Sequence, residues 1–109
     1  MTGTAAAEVK WLDCSSTERG RSVQYRIYFD EAQNTAGVVS TTGTAVATGV
    51  SFSPTEIHLS FVGSSISTTT IDRRTGETRT ETYDTGEQNT SYSVSRCDVS
   101  SVPPPPRRF

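Results

Sequence analysis

Two stretches limit most strongly what this chain can fold into. In "SVQYRIYFD", residues 22–30, Val23, Tyr25, Ile27 and Phe29 alternate with Gln24, Arg26 and Tyr28. In "EIHLSFV", residues 56–62, Ile57, Leu59 and Phe61 alternate with Glu56, His58 and Ser60. A period of two sends successive side chains to opposite faces of a strand, whereas a helix needs apolar residues at three and four. "SPTE" (Ser53–Glu56) has the S-x-x-E spacing of a helix capping box. The alternation that follows it rules the helix out.

Weaker strand candidates surround these two: Glu8–Cys14, the Gly37–Thr42 region, Thr44–Val50, Ser65–Ile71, Glu77–Tyr83 and Thr90–Cys97. Turn signals such as "STERG", "FSPT", "VGSS", "DRRTG" and "DTGEQN" separate almost all of them. No segment carries a helical stripe. The expectation is an all-β chain of about eight short strands, an antiparallel meander closed into a small barrel or flattened into a sandwich.

At 109 residues the chain holds one domain with little burial to spare. Hydrophobic residues make up 32%, below the roughly 45–50% of globular proteins. Threonine closes part of that gap, since its branched Cβ suits a pleated, half-buried surface. The expected layout is a flexible segment at 1–7, a β-barrel domain at 8–100 and a tail at 101–109. Pro103 to Pro106 donate no backbone hydrogen bonds, so that tail should run as solvated polyproline.

Net charge is −2, with twelve acidic against ten basic residues, so nothing draws the chain to nucleic acid. No apolar run has the length of a membrane span, and "MTGTAAAEVK" lacks the charged and apolar regions of a signal peptide. The chain is therefore expected to be cytoplasmic or a virion protein, or a periplasmic or extracellular one whose leader has been replaced. A Cys14–Cys97 disulfide would favour the latter pair. Such a bridge closes most of the chain into one loop, worth ~4 kcal/mol in chain-entropy terms. The alternative is two separate buried thiols. The bridge is favoured because a small polar domain benefits from a staple. It meets two geometric difficulties. In an eight-stranded meander the ends of the first and last strands lie at opposite rims, so stagger must bring the cysteines together. Tyr92 and Val94 share a face, and Cys97 falls on the other unless a bulge intervenes.

The motifs that could carry chemistry are weak. Asp84-Thr85-Gly86 matches three residues of the aspartic-protease motif, but the flanking Thr82, Tyr83 and Glu87 do not fit and too little chain follows. It reads as a turn in which Asp84 caps nearby amides and Gly86 takes a positive φ. His58 shares a strand face with Glu56 and Ser60, but three side chains in a row do not make a hydrolytic triad. One histidine and two distant cysteines make no metal site, and no cofactor is indicated. "NTS" (Asn89–Ser91) matches the glycosylation triplet, a pattern frequent by chance. "DRRTG" reads as a hairpin turn in which Asp72 accepts from turn amides and Gly76 takes the left-handed step. Arg73 and Arg74 are then exposed, the first contacts to test for an acidic partner.

An early cysteine in "WLDC" (Trp11–Cys14), a long alternating strand at Val23–Phe29 and a late cysteine, Cys97, together resemble small bacterial lipocalin-like barrels. In layout the chain is similar to periplasmic inhibitors of C-type lysozyme and to small uncharacterised bacterial and phage-borne proteins. The inhibitors' Ser-Gly loop has no counterpart here, so no inhibitory residues carry over. The expected role is a non-enzymatic barrel that binds a protein or a small apolar ligand; with only nine aromatics and few large aliphatics its own side chains should fill the interior, which ranks a protein partner first. The alternative role is a structural, decoration or adaptor component of a phage particle or surface assembly.

Overall fold

The computed structural model describes residues 9–18 and 20–100. The flexible start and the proline-rich tail expected from the sequence lie outside them. The described residues form nine strands and no helix: β1 (Lys10–Glu18), β2 (Arg21–Asp30), β3 (Thr35–Ser40), β4 (Gly43–Val46), β5 (Gly49–Phe52), β6 (Glu56–Val62), β7 (Ser65–Asp72), β8 (Glu77–Asp84) and β9 (Asn89–Val99). All pairings are antiparallel, in one sheet ordered β4-β3-β2-β1-β9-β8-β7-β6-β5. The sheet curls into a half-barrel.

The count of nine conceals the expected meander of eight. β4 and β5 belong to one stretch that changes neighbours midway. Ala47 N donates to Ala36 O at 2.9 Å, prolonging the ladder to β3, and Thr48 N donates to Ser60 O at 2.7 Å, prolonging the ladder to β6. The sequence shows a single segment, Thr44–Val50, because its composition does not change where its partner does.

Chain direction defines two ends. At one end lie the β2–β3, β5–β6 and β7–β8 turns, together with the entry at Val9 and the exit at Ser100. The apolar core is weighted toward it: Leu12, Ile27, Phe29, Ala36, Ile57, Leu59 and Ile71 are buried around the cysteines. Full burial of a side chain such as Ile27 contributes about 1.5–3 kcal/mol. Phe52 tilts against Phe29 with ring centroids 5.9 Å apart. On the outer surface Trp11, Tyr28 and Gly37 form a row across three strands. Tyr28 lies so close over Gly37 that a Cβ there would meet its phenol oxygen at 2.4 Å, so a larger residue would displace the Tyr28 ring.

Cys14 and Cys97 form a disulfide and are direct partners in the β1–β9 register, with Cα atoms 4.0 Å apart. Stagger resolves the rim difficulty. β1 and β9 pair only from Leu12–Val99 to Ser15–Arg96, so the middle of one strand meets the end of the other. Phase is resolved without a bulge, since the β8–β9 register runs unbroken from Glu77–Arg96 to Asp84–Asn89. Cys97 points inward with half-buried Ser93 and Ser95, and Tyr92 and Val94 face outward. The inner face of β9 is made of serine, which is why hydropathy alone points to the wrong face.

Threonine and serine line much of the interior. Thr69 and Thr80 share a 3.0 Å hydrogen bond, as do Ser67 and Thr82, and the buried Thr78 hydroxyl donates to Cys97 Sγ at 3.1 Å. Pairing the hydroxyls across strands removes most of the cost of taking them out of water.

Candidate functional site

The "DRRTG" turn sits at the packed end. Asp72 Oδ1 accepts from Arg74 N at 2.8 Å and from Thr75 N at 3.2 Å, and Gly76 N donates to Asp72 O at 2.8 Å. Those amides, first that of Arg74, together with the Arg74 guanidinium, hold the Asp72 carboxyl below its usual pKa. Gly76 has φ +81°, and a Cβ there would lie 2.2 Å from Cys97 O. The left-handed step is as expected, and the close approach adds a second reason for glycine, because Cys97 N donates to Gly76 O at 2.8 Å.

The two arginines have different tasks. Arg73 donates from Nη1 to Ser53 O at 3.0 Å, forms an ion pair with Glu31 through Nη2, and donates its backbone N–H to Thr55 O at 2.8 Å. It therefore ties the β2–β3 and β5–β6 turns to its own. Arg74 is mostly exposed, its guanidinium 3.4 Å from Asp72 Oδ2. In the sequence the two are equivalent. A residue reaching turns so distant in sequence leaves no local signal.

At the opposite end, Asp84 Oδ1 accepts from Gly86 N at 2.9 Å and from Glu87 N at 3.1 Å, the expected capping. The positive φ falls on Gln88, at 54°, and not on Gly86. The chain completes its reversal one step before β9 begins, so the left-handed residue is the last of the turn. Thr85 Oγ1 donates to Ser64 O at 2.9 Å, joining this turn to the β6–β7 turn. His58 is on the outer face: Nδ1 lies 3.1 Å from Thr70 Oγ1 and Nε2 lies 3.3 Å from Glu56 Oε1. Ser60 is not a partner of the imidazole. Among the described residues no group of three His, Cys, Asp or Glu side chains could hold a metal, and no helix is long and apolar enough to cross a membrane.

Two features offer a surface to another molecule. The first is a cavity of about 430 Å³ in the concave face toward the end opposite the core, with Ile27, Val38 and Phe61 as apolar lining and Ser67, Thr69, Thr80, Ser93 and Ser95 as hydroxyl wall. Its own side chains therefore fill only part of the interior. Tyr25 also lines it. Burial raises the phenol pKa, opposed by a hydrogen bond with Ser95.

The second is the convex face of β6–β9. Val62 is directly opposite Ile66, and Ile66 is directly opposite Tyr83. Tyr92 and Val94 lie two positions apart on β9, opposite Glu81 and Arg79. All five apolar side chains are exposed, Tyr92 at 74%. Their adjacency is a product of register, so single-strand alternation could not reveal it.

Fold and surface together define a single-domain, antiparallel half-barrel whose first and last strands, neighbours in the middle of the sheet, are stapled by a disulfide. No family model, curated protein or solved structure matches the chain.

Proposed function

We propose that this chain is a non-enzymatic binding module that recognises another protein, in the manner of an inhibitor or adaptor, through the convex face of β6–β9. The observation that carries this reading is the run of Val62, Ile66 and Tyr83 across three adjacent strands, continued by Tyr92 and Val94. Contiguous exposed apolar surface with tyrosines and a charged surround is typical of protein contacts. Here Glu81 and Arg79 supply the charge. The half-barrel with bridged first and last strands is compatible with the layout of small lipocalin-like barrels. Arg74 is the arginine of its turn left to meet an acidic partner, since Arg73 is engaged internally.

The test compares wild type with an Ile66→Glu/Tyr83→Glu variant as immobilised bait, with circular dichroism checking that both are folded. Proteins retained by wild type and lost by the variant support the reading. An identical set of retained proteins removes it. The second reading, a structural component of a phage particle or surface assembly, is favoured by the stretch Asn89–Ser95 of β9, which extends beyond its ladder to β1.

A further inference from the structure

The β1–β9 ladder stops at Ser15–Arg96, although β1 continues to Glu18 and β9 begins at Asn89. Asn89–Ser95 is therefore laddered to β8 on one side and, among the described residues, to no strand on the other. Backbone direction identifies which groups this leaves. Cys97 N donates toward β8, to Gly76 O, whereas Ser100 N donates toward β1, to Trp11 O. In a regular strand these directions alternate. Hence Thr90, Tyr92 and Val94 aim their N–H and C=O groups at the open side, while Ser91, Ser93 and Ser95 aim theirs at β8.

Proteins usually guard such an edge with lysine, proline, a bulge or a very short strand. β4 and β5 are short in this way, with four residues each. Asn89–Ser95 carries no charge, no proline and no bulge. We propose that this edge pairs with the same edge of a second copy of the chain, antiparallel about a two-fold axis at Tyr92.

The sequence is its own complement in that register. Tyr92 faces Tyr92 and Thr90 faces Val94 on the convex side, aromatic against aromatic and β-branched against β-branched, the favourable cross-strand pairs. On the concave side Ser91 faces Ser93, small enough to raise no steric objection. Arg96 already pairs with Ser15 of β1, so the new ladder ends at the Thr90–Val94 pairs, with the exposed Arg96 side chain of one copy toward the acidic Asp84–Glu87 turn of the other. Each pair of open-side residues exchanges two backbone hydrogen bonds. The two-fold symmetry closes the assembly at a dimer, because each edge is consumed by its counterpart. The inference does not rest on the protein-binding reading. It would join the two convex patches into one continuous surface.

Sedimentation equilibrium over a wide protein concentration, with hydrogen exchange at both extremes, tests it. A reversible dimer in the micromolar range is expected. On dimerisation the amides of Thr90, Tyr92 and Val94 should slow, while those of Ser91, Ser93 and Ser95, already committed to β8, should not change. Val94→Pro deletes an open-side N–H without touching the β8 ladder and should abolish the dimer. Tyr92→Lys, which sets like charges opposite each other at an exposed site, should weaken it several-fold with the monomer fold intact. A chain that stays monomeric throughout overturns the proposal. So does a dimer indifferent to both substitutions, a dimer that leaves the three amides unprotected, or open-ended oligomers.

Discussion

Arg73 and Arg74 are adjacent in sequence and unlike in consequence. Arg73 reaches Glu31 and Ser53 O and so joins three turns, whereas Arg74 turns back to its neighbour Asp72. Arg73→Ala leaves one carbonyl and one carboxylate without their donor. With allowance for the half-exposed Glu31, it should lower stability by about 1–2 kcal/mol. Arg74→Ala should stay within about 0.5 kcal/mol. Urea denaturation of both variants checks the contrast, and equal midpoints would show that the three-turn clamp carries no weight. Tyr25 supplies a pH dependence. Burial raises its pKa above the ordinary value of 10.0, so the folded state holds the phenol proton more tightly than the unfolded chain does. Above the unfolded value the unfolded chain binds fewer protons, and stability therefore falls as pH rises. The contribution is whole below about pH 10 and is lost as pH climbs through the raised folded value. Thermal melts of wild type should decline across that alkaline window more steeply than those of Tyr25→Phe.

At the scale of the strand, alternation was legible wherever large apolar residues marked the inner face, as in β2 and β6. It failed where the inner face is hydroxyl. In β9 the buried-side residues are Ser93, Ser95 and Cys97, and the conspicuous Tyr92 and Val94 point to solvent. A hydropathy pattern reports which face is apolar, and here the burial comes from the disulfide and the curl of the sheet. Register was equally hidden, because the convex patch and the staggered cysteines each depend on which residues stand opposite across strands. The turns fared better, since Asp72 and Gly76 act within their own few residues. Gly86 is the exception, the left-handed position having passed to Gln88. The hydroxyl pairs of β7 and β8 give this scale its own test. Thr69 is buried and its hydroxyl is paired with that of Thr80 at 3.0 Å. Thr80→Val strands the buried Thr69 hydroxyl and should cost about 1–3 kcal/mol, whereas Thr69→Val should cost less because the half-buried Thr80 borders the concave cavity. In a double-mutant cycle measured in urea, the double Thr69→Val/Thr80→Val variant should cost less than the sum of the singles. Strict additivity would mean that the pair does not act as a unit.

For the whole molecule the weak seam in the middle of the sheet is the one that joins its two halves, β1 to β9. β1 and β9 share four residue pairs, against nine between β1 and β2 and eight between β8 and β9. The Cys14–Cys97 disulfide stands inside that short ladder and spans a sequence separation of 83. In chain-entropy terms a loop of this length stabilises the fold by about 4–5 kcal/mol. Domains of this size have only about 5–15 kcal/mol in total. The small apolar core leaves little in reserve, and Thr78 adds to the dependence by donating its hydroxyl to Cys97 Sγ. Reduction should therefore lower the urea midpoint sharply without changing which strands form when the protein is folded. Hydrogen exchange places the effect. In the reduced protein the amides that join β1 to β9 should open first, while the β6–β7 and β7–β8 ladders, remote from the seam, should keep their protection until global unfolding. Equal midpoints with and without reductant would show that the seam is held by its side chains and its short ladder, and that the covalent link is dispensable to the half-barrel.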